Sequence, residues 1–153
     1  MKKSIHFRVN GIDTAIEVET HQMLLQVVRE SLGLTGAKFA CGIQVCGTCT
    51  LLLNGKPVSG CSVLAVDADG SDVLTVEGLA KDGQLHPLQE AFMEFGALQC
   101  GYCTPGFLLT AKALLDENPH PSEEEIRSYL AGNFCRCGCY QEIMRAIQKV
   151  AGR

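Results

Sequence analysis

No stretch of this 153-residue chain approaches the roughly 18 apolar residues of a membrane span. The two lysines of MKKSIHFRVNG have no apolar run behind them, so the N-terminus does not read as a secretory signal. Positive charge is also scarce: 13 Lys and Arg stand against 17 Asp and Glu, for a net charge of −4. Without a basic cluster the chain lacks the electrostatic footprint of a nucleic-acid binder. A phosphate-cradling loop is missing too, because GLTGAKFACG lacks the lysine-serine ending of a P-loop and follows no predicted strand. The four histidines, His6, His21, His86 and His120, share no spacing suited to a metal or a catalytic dyad, and each reads as a surface or capping residue. These absences describe a soluble, cytoplasmic protein with no nucleic-acid partner and no membrane span.

Cysteine is what the chain has in quantity, with nine in all. An odd count fits a disulfide framework poorly, and in a reducing cytoplasm this density points to metal ligands or catalytic thiols. The length allows one domain or two small ones, and small domains need support beyond a hydrophobic core.

The hydrophobic pattern changes period along the chain. Ile5, Phe7 and Val9 alternate before Asn10-Gly11, and Ile12, Ala15 or Ile16, and Val18 follow it, which predicts a β-hairpin. Leu24, Val27, Val28 and Leu32 recur at helical spacing from His21 to Leu32, with Gly33 as C-terminal cap. A loop holding Cys41, Cys46 and Cys49 follows. TLLLNGKPVSG then offers a strand, an Asn54-Gly55 turn and a return strand ending at Cys61, and a last strand is expected at Asp72 to Val76. Beyond about Gly78 the pattern turns helical. Helices are predicted over Leu85 to Phe95, Pro105 to Glu117, from a Ser122/Glu125 capping box through Ile126, Tyr129 and Leu130, and over Tyr140 to Val150. Phe92 and Met93 read as core. The class is α+β, with a boundary near residues 76 to 82.

The cysteines fall into two sets. Cys41, Cys46 and Cys49 are spaced CxxxxCxxC, the plant-type 2Fe-2S ferredoxin spacing, and Cys61 follows after eleven intervening residues. Gly42 and Gly47 give the loop the freedom to turn its backbone N–H groups toward sulfur. Structural zinc sites usually use two shorter-spaced knuckles instead. The second set is Cys100 and Cys103, then Cys135 and Cys137 after thirty-one residues. CxxC with CxC suits zinc or a second 2Fe-2S cluster, and spacing alone does not choose between them. A thioredoxin-like dithiol is disfavoured, because CGYC follows a helix rather than a strand and Pro105 opens the next helix too late. Arg136 lies between two of the thiols, where it would offset the charge of an oxidised cluster.

Taken together, CGIQVCGTCT, ALQCGYCTPG and AGNFCRCGCY resemble the small iron-sulfur subunit of the molybdenum hydroxylases, the family of xanthine dehydrogenase, aldehyde oxidoreductase and bacterial carbon monoxide dehydrogenase. The resemblance spans almost the whole chain and matches eight cysteines in order and spacing. It implies an N-terminal β-grasp, ferredoxin-like domain at 1–78 with one 2Fe-2S cluster on Cys41, Cys46, Cys49 and Cys61. It implies a C-terminal four-helix domain at 79–153 with a second 2Fe-2S cluster on Cys100, Cys103, Cys135 and Cys137. Gln99 and Cys137 would lie near the pterin of a molybdenum cofactor held by a large partner subunit, and a further, medium subunit would carry FAD beside the first cluster. The implied function is one-electron relay from the molybdenum centre to FAD or an external acceptor, with no general acid, base or nucleophile in this chain.

The chain departs from the family pattern at a few positions. GNFCRCGCY stands where GNLCRCTGY is usual, so Gly138 replaces a threonine and Cys139 a glycine. The ninth thiol is read as a small buried residue, with a ligand exchange with Cys137 or a redox-sensitive thiol as alternatives. Ala40 and Thr48 stand where glycine and alanine are common, which bears on hydrogen bonding to the first cluster. Two other functions are weighed. A free-standing two-cluster ferredoxin would present an acidic docking face, and a zinc-bearing scaffold would be colourless and redox-silent.

Overall fold

The computed structural model describes residues 1–152; residue 153, the last of the expected domain at 79–153, lies outside them. Strands β1 (Lys2–Val9) and β2 (Ile12–Glu19) form the N-terminal antiparallel hairpin. Asn10 and Gly11 both take positive φ, 52° and 82°, the geometry that matches a two-residue turn to the right-handed strand twist. On β1 the alternation is clean, with Ile5, Phe7 and Val9 buried and the residues between them exposed.

The first helix is shorter than its apolar spacing predicts. Met23 is extended and bridges Leu64, so α1 starts at Leu24 (Leu24–Gln26) rather than His21 and continues as a π-helix over Val27–Ser31. Gly33 then takes φ 71°, the left-handed conformation expected just past a helix end. Strands β3 (Thr50–Leu53) and β4 (Lys56–Ser59) pair around Asn54-Gly55, whose φ values are 50° and 79°. The return strand stops at Ser59, which leaves Cys61 in a turn. Strand β5 (Asp72–Leu74) pairs parallel with β1 and antiparallel with β3, ending before Val76 because Val76–Gly78 tightens into a 3-10 turn. The sheet order is β2-β1-β5-β3-β4.

Four further helices follow: α2 (Pro87–Glu94), α3 (Thr104–Glu117), α4 (Glu123–Tyr129) and α5 (Tyr140–Val150). Helix α2 begins later than expected because His86 caps it. The His86 ring accepts from the Leu88 N–H at 3.2 Å, and the Gln89 side chain accepts from the His86 N–H at 2.9 Å. The capping box of α4 is present, with the Glu125 N–H on the Ser122 hydroxyl at 3.2 Å and the Ser122 N–H on the Glu125 carboxylate at 2.6 Å. Phe92 is buried as expected, but Met93 is 59% exposed, since it lies on the face of α2 turned from the other helices.

Two apolar cores meet at β3. Leu51 packs with Ile5, Phe7, Leu24 and Val27, whereas its neighbour Leu52 points through the sheet to Phe92, Phe107, Leu109, Ile143 and Ile147. Helix α3 therefore buries more than the single face its pattern suggests, being packed on β3 as well as on α2 and α4. Fully burying each Leu, Ile or Phe contributes about 1.5–3 kcal/mol, so the alternate sides of one strand tie the two halves together. Among the described residues no helix is long and apolar enough to cross a membrane.

Candidate metal centres

The first cysteine loop is held in a tight curl. Gly42, Gln44 and Gly47 all take left-handed φ values, 67°, 65° and 65°, and the curl aims the Ile43 N–H at the Cys41 sulfur, 3.5 Å away. Gln44 is a non-glycine in that conformation, and nothing in the sequence marks it. Its side chain donates to the Ser62 hydroxyl, drawing the Cys61 turn to the loop. On the other side, the Arg29 guanidinium donates to the carbonyls of Thr35 and Ala37, at 2.8 and 2.5 Å, pinning the loop to the helical segment before it.

Electrostatically, Cys41 is influenced by Cys46, and Cys49 by Cys61 and Cys46. The N–H of Ile43, the Cys46 thiol, and the N–H groups of Val45 and Cys46 together pull the Cys41 thiol down to about 7. Burial, with the charge of Cys61 and Cys46 beside it, pushes Cys49 up to about 11. At neutral pH Cys41 is thus about half thiolate, whereas the buried Cys49 keeps its proton until a metal displaces it.

The second set is assembled from two helix ends. Cys103 is the N-cap of α3, preceded by Gly101 at φ 77°, and Cys139 is the N-cap of α5, preceded by Gly138 at φ 85°. Burial first, and then the neighbouring Cys135 thiol, pushes the Cys103 thiol up to about 12. Burial raises Cys135 as well, but the N–H of Cys139, the Cys103 thiol and the N–H groups of Gly138 and Cys137 outweigh it and hold Cys135 below its usual range. Cys100 is exposed and adds its charge against Cys103. Gln99 and Cys137 are brought together by an amide N–H donated to the Cys137 carbonyl at 3.2 Å. Cys139 is a free, buried thiol, and because Gly138 supplies the left-handed turn, it sits without backbone strain. Arg136 is exposed.

Sequence spacing gave no sign of what surrounds this set. The Tyr140 hydroxyl accepts from the Cys135 N–H at 2.8 Å, and its ring packs edge-on against Phe107, 6.2 Å between centroids. Among the described residues, the Thr104 hydroxyl oxygen is the one buried side-chain oxygen or nitrogen without a hydrogen-bond partner.

The two sets are sewn to each other. The Asn133 side chain, buried, donates to the Gly47 carbonyl at 3.1 Å, and the next residue, Phe134, donates its N–H to the Cys46 carbonyl at 2.9 Å. A β-carbon on Gly106 would collide with the Gly47 carbonyl oxygen, and one on Gly47 with the Gly132 carbonyl. Tyr102, between Cys100 and Cys103, donates its hydroxyl to the Phe39 carbonyl at 2.6 Å. Among the described residues no three or more His, Cys, Asp or Glu side chains converge as they do around a single metal ion. The donor sets are thiols with backbone N–H groups turned toward them, which suits iron-sulfur ligation.

Residues 7–76 match the family described as 2Fe-2S iron-sulfur cluster binding domain, and residues 75–148 the family described as 2Fe-2S binding domain. The chain is 47% identical over 152 residues to the small FeS subunit of nicotinate dehydrogenase from Eubacterium barkeri, covering 99% of this chain and 97% of that one. In three dimensions it superposes on a chain of quinoline 2-oxidoreductase from Pseudomonas putida 86 with a TM-score of 0.95, at 44% identity, covering 99% of this chain and 94% of the other. The aldehyde oxidoreductase from Desulfovibrio desulfuricans gives a TM-score of 0.94 at 40% identity. There the match takes in 98% of this chain but only 17% of the other, so the same unit is a small part of a much longer polypeptide.

Proposed function

The chain belongs to the small iron-sulfur subunits of the molybdenum hydroxylases, and from that premise we propose how its residues divide the work. It is the electron-transfer subunit of an oxidoreductase and carries two 2Fe-2S clusters, one for each cluster-binding domain. In our reading residues 1–78 form a β-grasp domain that holds the first cluster on Cys41, Cys46, Cys49 and Cys61. Residues 79–153 form a four-helix domain that holds the second on Cys100, Cys103, Cys135 and Cys137. The observation that carries this is that the two matched 2Fe-2S domains, residues 7–76 and 75–148, each enclose one set of these cysteines, with the Ile43 N–H aimed at the Cys41 sulfur in the first.

When bound, such clusters supply one-electron uptake and release. The chain's own task is to hold them, to space them through the Gly47–Asn133 seam, and to set their electrostatics. Substrate chemistry belongs to a molybdenum-pterin cofactor in a large partner subunit. Gln99 and Cys137 contact that pterin, a role supported by the bond that joins them on the exposed side of the second set. Electrons leave from the first loop to FAD in a medium subunit. Exposed apolar side chains crowd the cysteine loops, among them Phe39, Ile43, Val45, Leu98, Tyr102 and Phe134. Apolar surface gathered at one place is the mark of a partner-binding face. The complex works in the cytoplasm.

Affinity purification of the tagged chain from cells that also express its neighbours tests the reading. A large molybdenum-containing chain and an FAD-containing chain should co-elute. A chain that elutes alone with both clusters, and reduces soluble acceptors, would establish the free-standing ferredoxin instead.

A further inference from the structure

A buried hydroxyl with no partner is rare in folded proteins, and each instance points to a group that completes it. Thr104 provides one. It opens α3 directly after Cys103, the helix's N-cap and one of the thiols of the second set. Its backbone N–H reaches the Gly101 carbonyl at 3.3 Å, but its hydroxyl does not fall back on the carbonyl one turn earlier. Thr110 on the same helix does so, bonding the Gly106 carbonyl at 2.9 Å. The following residue is Pro105, which has no N–H, so the first turn of α3 is short of a backbone donor beside the cysteines.

We propose that the Thr104 hydroxyl donates a hydrogen bond to a sulfur of the second 2Fe-2S cluster and raises that cluster's reduction potential. The assignment rests on Cys100, Cys103, Cys135 and Cys137 being its ligands. A reduced cluster carries one more negative charge on its irons and sulfurs than an oxidised one, so a donor to sulfur binds the reduced form more strongly. Removing the donor weakens the reduced form more than the oxidised one and lowers the potential.

The test is a redox titration of the purified complex, followed by EPR, for the parent and for Thr104→Val and Thr104→Ser, with ENDOR on samples exchanged into deuterated water. Thr104→Val should lower the potential of one cluster, leave the other unmoved, and remove one exchangeable-hydrogen coupling from the shifted signal. Thr104→Ser, which keeps the hydroxyl, should restore both properties. Should the valine variant fail to load its clusters, Thr104→Ala removes the same donor without the added branch and carries the same expectation. Unchanged potentials and couplings without the hydroxyl would overturn the proposal, as would a serine variant shifted as far as valine. A parent complex with no second 2Fe-2S signal would overturn the ligand assignment itself, whatever the variants show.

Discussion

The N–H of Phe134 donates to the carbonyl of Cys46 at 2.9 Å, and Phe134 is bonded in sequence to Cys135. One hydrogen bond therefore joins a cysteine assigned to the first cluster to the peptide of one assigned to the second. It is a direct bonded connection between the two sets, and electrons crossing between them have a continuous path of peptide and hydrogen bond. Phe134→Pro removes that N–H together with the exposed ring, so Phe134→Ala is its control, and Asn133 before it is already extended, at φ −112° and ψ 127°, as a residue preceding proline must be. The variant should keep both clusters, lose about 1–3 kcal/mol of stability through the unsatisfied carbonyl, and slow inter-cluster transfer. Pulse radiolysis with optical detection measures that rate.

Gly106 tests the seam by shape. A β-carbon there would run into the Gly47 carbonyl oxygen, and no unusual φ complicates the substitution. Gly106→Ala should destabilise the protein by about 1–3 kcal/mol, the usual cost of overpacking, and weaken the magnetic coupling between the clusters. Thermal unfolding and EPR of the reduced protein measure the two effects.

The thiols should differ in reactivity before iron is added. Cys41 is held down to about 7, whereas Cys49 lies up at about 11 and Cys103 at about 12. A lowered value keeps the thiolate at lower pH. Alkylation of Cys41 in the metal-free chain should therefore already be near its full rate at pH 8 and fall as the pH drops through about 7. At Cys49 and Cys103 the rate should still be rising well above pH 9. Mass spectrometry of iodoacetamide-treated peptides across pH checks the order.

Gln99 donates to the Cys137 carbonyl from an exposed position, so its loss costs the fold little, about 0.5–1.5 kcal/mol. Gln99→Ala should leave both clusters in place and weaken association with the molybdenum-pterin subunit. Iron content together with the dissociation constant of the complex measures the two. Loss of a cluster in this variant would show that Gln99 supports the ligand loop rather than the pterin.

What could be seen in the sequence was local. The two Asn-Gly turns, the Ser122/Glu125 cap and the cysteine spacings each depend on residues a few positions apart, and each leaves a pattern. What could not be seen depends on distant partners. Met23 leaves the predicted helix because of Leu64, the left-handed Gln44 is tied to Ser62, and Met93 is exposed because of where α2 docks. The seam is the fullest case, since Asn133 and Gly47 are far apart in sequence and neither belongs to a periodic run. The same applies to Tyr140, whose ring spacing reads as an ordinary helix start although its hydroxyl holds the Cys135 peptide.

The central claim is that this chain holds two 2Fe-2S clusters on eight of its nine cysteines. Metal and labile-sulfide analysis of the purified protein, combined with EPR of its reduced form, tests it most directly. The account predicts about four irons and four sulfides per chain, with two distinguishable 2Fe-2S signals. Zinc at about two per chain, with no sulfide and no signal on reduction, would contradict it.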